Sequence, residues 1–150
     1  MVPNNEKVHF NFRKDERLHH RSLVEGLFRY GKSFYEFPFR VIWRVLTTEE
    51  LSKNFRNVIP DGIGALQMMV TVPKKKRKKA VDRVLTRRRI REAYRLNRLT
   101  LKDKVEMTPE IGTLSVSIIY IHDKNLPYIN IEEKMKILLD KLQNRIKQIE

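Results

Sequence analysis

Between residues 39 and 45 apolar and polar side chains alternate, with Phe39, Val41, Trp43 and Val45 set against Arg40, Ile42 and Arg44. A period of two predicts a half-buried strand whose second face is partly basic. The same period recurs at 65–72, where Leu66, Met68, Val70 and Val72 oppose Ala65, Gln67, Met69 and Thr71. It recurs again at 114–120, with Leu114, Val116, Ile118 and Tyr120 against Ser115, Ser117 and Ile119. Residues 34–37, just before Pro38, predict a further short strand.

Elsewhere the period lengthens to that of a helix. Asp15 can cap a helix over 15–30 whose stripe is Leu18, Leu23, Val24, Leu27 and Phe28, with Gly31 placed to end it. Nothing breaks a helix over 80–99. Asn130 and Glu133 form an N-cap pair ahead of a last stripe of Ile131, Met135, Leu138, Leu142 and Ile146.

The predicted order is α-β-β-β-α-β-α, and a four-stranded mixed sheet covered by helices is the natural packing for it. That makes an α+β protein, a single-domain α/β sandwich over 1–150, with 1–12 a candidate flexible lead-in. Residues 47–64 contain Pro60-Asp61-Gly62 and are expected to form a long hairpin loop holding one helical turn at 48–54.

Charge sharpens this picture. The 150 residues carry 32 Lys or Arg against 18 Asp or Glu, a net +14. Thirteen of the basic residues and only Asp82 and Glu92 fall within 74–98, a net +11, so one segment holds most of the excess. A solvated face is the bland explanation, but so many uncompensated cations repel one another and point to a polyanionic partner.

At 100° per residue Arg83, Arg87, Arg88, Arg91, Arg95 and Arg98 share an arc of about 140°. Val84 and Tyr94 interrupt that arc, Arg89 stands off it, and Val81, Leu85, Ala93, Leu96 and Leu99 are expected to face the core. The run at 74–79 also matches a nuclear-import pattern, which lysine runs meet often by chance.

Other chemistry is not visible. With no cysteine, disulfides, thiolate zinc sites and thiol nucleophiles are excluded. His9, His19, His20 and His122 offer no His-x-x-x-His pair, and no Gly-rich phosphate loop or Gly-x-Ser-x-Gly occurs, so neither catalytic residues nor a metal site is assigned. No apolar run reaches membrane-spanning length and the start lacks an export-signal core, which predicts a soluble, cytoplasmic chain without a membrane partner. A leucine-zipper basic helix is disfavoured, since Pro109 and Gly112 arrive where heptads would have to continue.

The stretch Ala80-Val81-Asp82-Arg83, followed by Arg87-Arg88-Arg89-Ile90-Arg91-Glu92-Ala93-Tyr94-Arg95, resembles the signature helix of the bacterial ribonuclease P protein component. In that family a strand ends in a polar residue and two lysines before Ala-Val-x-Arg-Asn-Arg-x-Lys-Arg-x-x-Arg-Glu-Ala-Phe-Arg, and here Pro73-Lys74-Lys75 fills the strand end. The resemblance extends to Lys14-Asp15-Glu16-Arg17-Leu18, Leu27-Phe28, Gly31-Lys32-Ser33, Pro38-Phe39-Arg40-Val41 and 127–142. One departure is local: Val84 and Leu85 stand where the family has Asn and Arg.

The resemblance implies a ribosomal-protein-like sandwich with a left-handed crossover. It also implies a subunit of the endoribonuclease that removes the 5′ leader from precursor tRNA. Hydrolysis would belong to the RNA subunit, with Mg2+ bound mainly by that RNA and no small-molecule cofactor. Binding to ribonuclease P RNA is then carried onto Lys74, Lys75, Lys76, Lys78, Lys79, Arg83, Arg87, Arg88, Arg91 and Arg95. The precursor tRNA leader, held between first helix and sheet, is given the candidate contacts Phe12, Lys14, Tyr35, Phe37, Arg40 and Arg44. Phe10 and Trp43 are further aromatics able to stack on bases, core filling being the other reading of Trp43. A non-enzymatic ribosomal or other structured-RNA binding protein is the alternative, sharing charge and fold without needing a leader cleft.

Overall fold

The computed structural model describes residues 13–75 and 77–147. Its centre is an antiparallel pair, β2 (Phe39–Thr47) with β4 (Ile111–Tyr120), in which Val41 faces Ile118 and Trp43 faces Val116. β1 (Lys32–Glu36) pairs antiparallel with β2, and β3 (Leu66–Thr71) pairs parallel with β4. The sheet order is therefore β1-β2-β4-β3, the expected four-stranded mixed sheet.

Alternation sorts the two faces. Phe39, Val41 and Trp43 join Leu66, Met68, Leu114, Val116, Ile118 and Tyr120 in the larger core. That core is closed by α3 (Ala80–Asn97), α4 (Leu99–Glu106) and α5 (Tyr128–Lys147), which contribute Ile90, Tyr94, Leu101, Val105, Met135 and Leu142. The opposite face buries Ile42 and Leu46 under Leu23 and Leu27 of α1 (Arg21–Tyr30) and Leu51 of α2 (Thr48–Asn54). Helices thus cover both faces, as a sheet with two apolar surfaces requires.

Three expectations change. Residues 47–64 are not a hairpin loop, because β4 lies between β2 and β3. Thr47 starts α2 instead: its Oγ1 accepts from Glu50 N at 3.1 Å while Glu50 Oε1 accepts from Thr47 N at 2.9 Å. This reciprocal cap turns the chain out of the sheet at the end of β2. The crossover joins the parallel strands β3 and β4 through α3 and α4, and α4 is a helix absent from the predicted order.

The first helix begins at Arg21 rather than Asp15. Lys14–Glu16 form a single 3-10 turn, after which Leu18 N donates to Met68 O at 3.1 Å, so 17–18 extend along the outer edge of β3. Phe28 consequently lies outside the buried stripe. Gly31 ends α1 for reasons of space, since a Cβ there would stand 2.4 Å from Leu27 O.

Candidate nucleic-acid interface

Ile90, Ala93 and Tyr94, with Thr86, form the buried face of α3. Val81 is 77% exposed, Leu96 is exposed and Leu85 is only half-buried, so the core side differs from the Val81, Leu85 and Leu96 side expected from sequence. The large side chains Ile90 and Tyr94 set the rotation by packing into the core that α5 shares. The arginine arc still faces outward except at its end, where Arg98 is completely buried.

Arg98 Nε donates to Glu16 Oε1 at 2.6 Å and Nη2 to Oε2 at 2.9 Å, while Nη1 donates to Arg95 O at 2.6 Å. Lys102 Nζ stands 3.7 Å from the same carboxylate. Burial alone would raise the Glu16 pKa, but the hydrogen bond and charge of Arg98, the Arg13 N–H and Lys102 together hold it below its ordinary value. Burial pushes the neighbouring Tyr94 hydroxyl the other way, well above its usual range, and the Glu16 charge adds to that.

This pair clamps the 3-10 turn to the end of α3 and so delivers Arg17 to the arginine arc. Arg17, Val84, Arg87, Arg88, Arg91, Glu92 and Arg95 line one groove. Arg17 and Arg91 continue into a second depression with Leu18, His19, Met68, Met69 and Val70, so the cationic surface runs from α3 onto the edge of β3. Sequence reasoning missed Arg17, which sits in a mixed-charge stretch; only its neighbour's pairing across the fold reveals it. Within the groove Arg95 forks onto Glu92 at 2.8 and 3.1 Å.

The lysine run is interrupted by a clasp. Arg77 is buried, donating to Asp123 O and Asn125 Oδ1 and lying 3.5 Å from Asp82. Arg83 Nη1 donates to the carbonyls of Arg77 and Lys78, each at 2.8 Å, so it spends part of its capacity on ordering this loop. Lys74, Lys75, Lys78 and Lys79 are exposed, whereas Lys76 lies outside the described residues.

On the α1 side of the sheet one row crosses all four strands: Tyr35 opposite Arg40, Arg40 opposite Ile119, and Ile119 opposite Thr71. α1 covers the Ile42 and Leu46 end of this face, and at the other end Tyr35 is exposed. The Arg40 guanidinium stands 5.9 Å from the Tyr35 ring and that of Arg44 5.1 Å from Tyr30. Arg44 passes close to α1 at Gly26, where a Cβ would fall 2.2 Å from its Nη1. Tyr30, which the sequence does not single out, therefore stands with Arg44 beside this row, nearer to α1.

Phe37 is exposed and meets His122 edge-on at 5.0 Å. Trp43 is buried in the larger core and cannot stack on a base. Lys14 lies apart, in a depression with Arg13, Asp15, His19, His20, Asp61 and Gly62 on the β3 side. Phe10 and Phe12 lie outside the described residues. Among the described residues no three His, Asp or Glu side chains converge as a metal site would require, and no helix is long and apolar enough to cross a membrane.

A family model described as Ribonuclease P matches residues 12–143. Ribonuclease P protein components from two strains of Porphyromonas gingivalis are each 30% identical over 110 residues, covering 73% of this chain and 72% of theirs. In fold, the ribonuclease P protein of Staphylococcus aureus superposes with a TM-score of 0.57 at 16% identity, over 85% of this chain and 94% of that one. The Thermotoga maritima protein gives 0.56 at 21% identity, over 84% and 96%.

Proposed function

The chain belongs to the ribonuclease P protein family, the protein part of a tRNA 5′-maturation enzyme whose catalysis is by RNA, and from that premise we propose how its two surfaces divide the work. The groove of Arg17, Arg87, Arg88, Arg91 and Arg95, with Arg83 and the exposed lysines 74, 75, 78 and 79 beside it, binds ribonuclease P RNA. The open sheet row of Tyr35 and Arg40, flanked by Arg44, Tyr30 and Phe37, takes the single-stranded leader of precursor tRNA. The observation that carries this reading is the arginine arc of α3 turned to solvent opposite its apolar face, a spacing suited to successive phosphates.

The lining of that groove holds one carboxylate, Glu92, beside Arg95. Hard divalent cations need several oxygen ligands, so we assign the Mg2+ of the holoenzyme to the RNA, where it would supply the activated water for hydrolysis. The protein's own residues orient the two RNAs and screen repulsion between their phosphates. We infer a bacterial cytoplasmic location, where precursor tRNA is processed.

Reconstitution tests this. Bacterial ribonuclease P RNA and precursor tRNA, mixed at low magnesium with and without the protein, should show 5′ processing that the protein strongly stimulates. Processing unchanged by the protein would refute the reading.

A further inference from the structure

The groove beside α3 contains a group that a pure phosphate track would exclude. Glu92 stands in its wall among Arg17, Arg87, Arg88, Arg91 and Arg95. The hydrogen bond from Arg95 holds the Glu92 pKa below its ordinary value, with burial opposing it and the Arg95 charge adding to it. Ionised, the carboxylate only accepts; the Arg95 fork holds the side on which both oxygens are presented together, and a base edge with two adjacent donors takes that side by displacing this exposed fork. Such a group repels a phosphate but welcomes a base edge that presents N–H donors.

Val84 gives a second, independent sign. It is 48% exposed in the same groove, an apolar surface among guanidinium groups. Methyl groups suit the face of a base or a ribose and offer nothing to a phosphate oxygen. Unstacked bases in RNA are commonly held in this way, stacked on arginine planes and hydrogen-bonded on their Watson–Crick edges. Eight helical positions separate Val84 from Glu92, about 12 Å, which exceeds one base, so the two side chains address neighbouring nucleotides.

Guanine alone among the four bases carries two adjacent donors, N1–H and the N2 amino group, on its Watson–Crick edge. These match the two oxygens of a carboxylate, whereas adenine, cytosine and uracil each place an acceptor beside their single donor group. We propose that the groove is a site for an unstacked guanosine of the RNA subunit, with Glu92 accepting from N1–H and N2–H and Val84 packing on the adjoining nucleoside. This rests on the RNA-binding reading of α3 and adds base selectivity to it.

The sign of one substitution separates the alternatives. In a groove that binds phosphate only, Glu92→Gln removes a repulsive charge and tightens binding to every RNA; in a guanine site it weakens binding to guanosine. Anisotropy titrations of the full chain would use short oligouridines bearing one central guanosine, adenosine or inosine. Guanosine should bind about tenfold more tightly than adenosine, inosine should fall between because it lacks the N2 amino group, and Glu92→Gln should abolish the preference. Equal affinities for the three, no binding to any, or uniform tightening by Glu92→Gln would overturn the proposal. In a second arm, Glu92→Gln should lower affinity for the RNA subunit alone by about tenfold. A loss confined to precursor tRNA would overturn the assignment to the subunit. Glu92 is on the surface and glutamine still accepts from Arg95, so folding, checked by circular dichroism, should be unchanged. Wild-type stimulation of 5′ processing is scored separately, so a missing guanine preference with processing intact refutes this site alone.

Discussion

Glu16 and Arg98, 82 positions apart in sequence, meet as a two-pronged ion pair with neither side chain more than 1% exposed. The contact ties the turn before α1 to the last turn of α3 and sets Arg17 against Arg87, Arg91 and Arg95. Removing one partner leaves the other charge buried without its counter-ion, which costs about 3–5 kcal/mol. Glu16→Ala and Arg98→Ala should each lower stability by that order in urea unfolding. The double replacement by well-packed apolar residues should recover much of the loss, because the desolvation cost disappears with both charges.

The same pair predicts a pH dependence. The Glu16 pKa is lower folded than its ordinary value of 4.5, so the unfolded chain binds the proton more readily. The stabilisation is then complete above about pH 4.5 and is lost as pH falls through the lowered folded value. Unfolding free energies measured from pH 7 down to pH 3 should decline in the native chain. In Glu16→Gln this group's share of the decline should vanish; an identical pH slope in both proteins would remove Glu16 as its source.

Much of this arrangement was legible in the sequence and some of it could not be. Period-two alternation placed Val41, Val116 and Met68 on one sheet face correctly, because a strand's geometry is local. Helical spacing put Arg87 and Arg91 outward, but it also put Arg98 there, and Val81 and Leu96 in the core. Those errors share a cause: an arc on a helical wheel says which residues go together, while the neighbours decide which side is buried. Ile90 and Tyr94 claim the core, and Arg98 is drawn inward by a carboxylate that no local pattern connects to it. Strand adjacency was also hidden, since β2 and β3 follow one another in the chain yet β4 separates them.

For the RNA-binding arc the expected signature is electrostatic. Arg87→Ala with Arg91→Ala should weaken binding to ribonuclease P RNA while leaving the circular dichroism spectrum unchanged, both side chains lying outside the core. Each lost phosphate contact should flatten the slope of log K against log salt by about 0.7–0.9. A slope unchanged in the double variant would place the RNA elsewhere.

Arg77 acts on the lysine run at one remove. Its guanidinium holds Asp123 O and Asn125 Oδ1, so the loop bearing Lys74, Lys75, Lys78 and Lys79 is pinned to the segment between β4 and α5. Lysine cannot reproduce a planar fork, so both Arg77→Lys and Arg77→Ala should speed amide exchange at Lys74, Lys75, Lys78 and Lys79. Both should also weaken binding to the RNA subunit, although Arg77→Lys retains the charge. Full retention of binding by Arg77→Lys, with exchange accelerated, would show that loop order contributes nothing.

The leader surface makes the most selective demand. Tyr35 is 63% exposed and lies 5.9 Å from the Arg40 guanidinium, while Tyr30 lies 5.1 Å from Arg44, giving two aromatic and arginine pairs beside α1. A base stacked on an aromatic ring contributes about 1–3 kcal/mol by alanine substitution, so Tyr35→Ala should weaken precursor tRNA binding to the holoenzyme by about five- to a hundredfold. Mature tRNA has no leader to lose and should bind as before. Tyr30→Ala should behave in the same way, which the sequence alone gave no reason to expect. Lys14, on the β3 side of the molecule, serves as the internal control. Lys14→Ala should leave the ratio of precursor to mature affinity unchanged, because only a residue beneath the leader can distinguish the two substrates. If Lys14→Ala alters that ratio as much as Tyr35→Ala does, the leader runs over the β3 edge and not over the Tyr35 and Arg40 row.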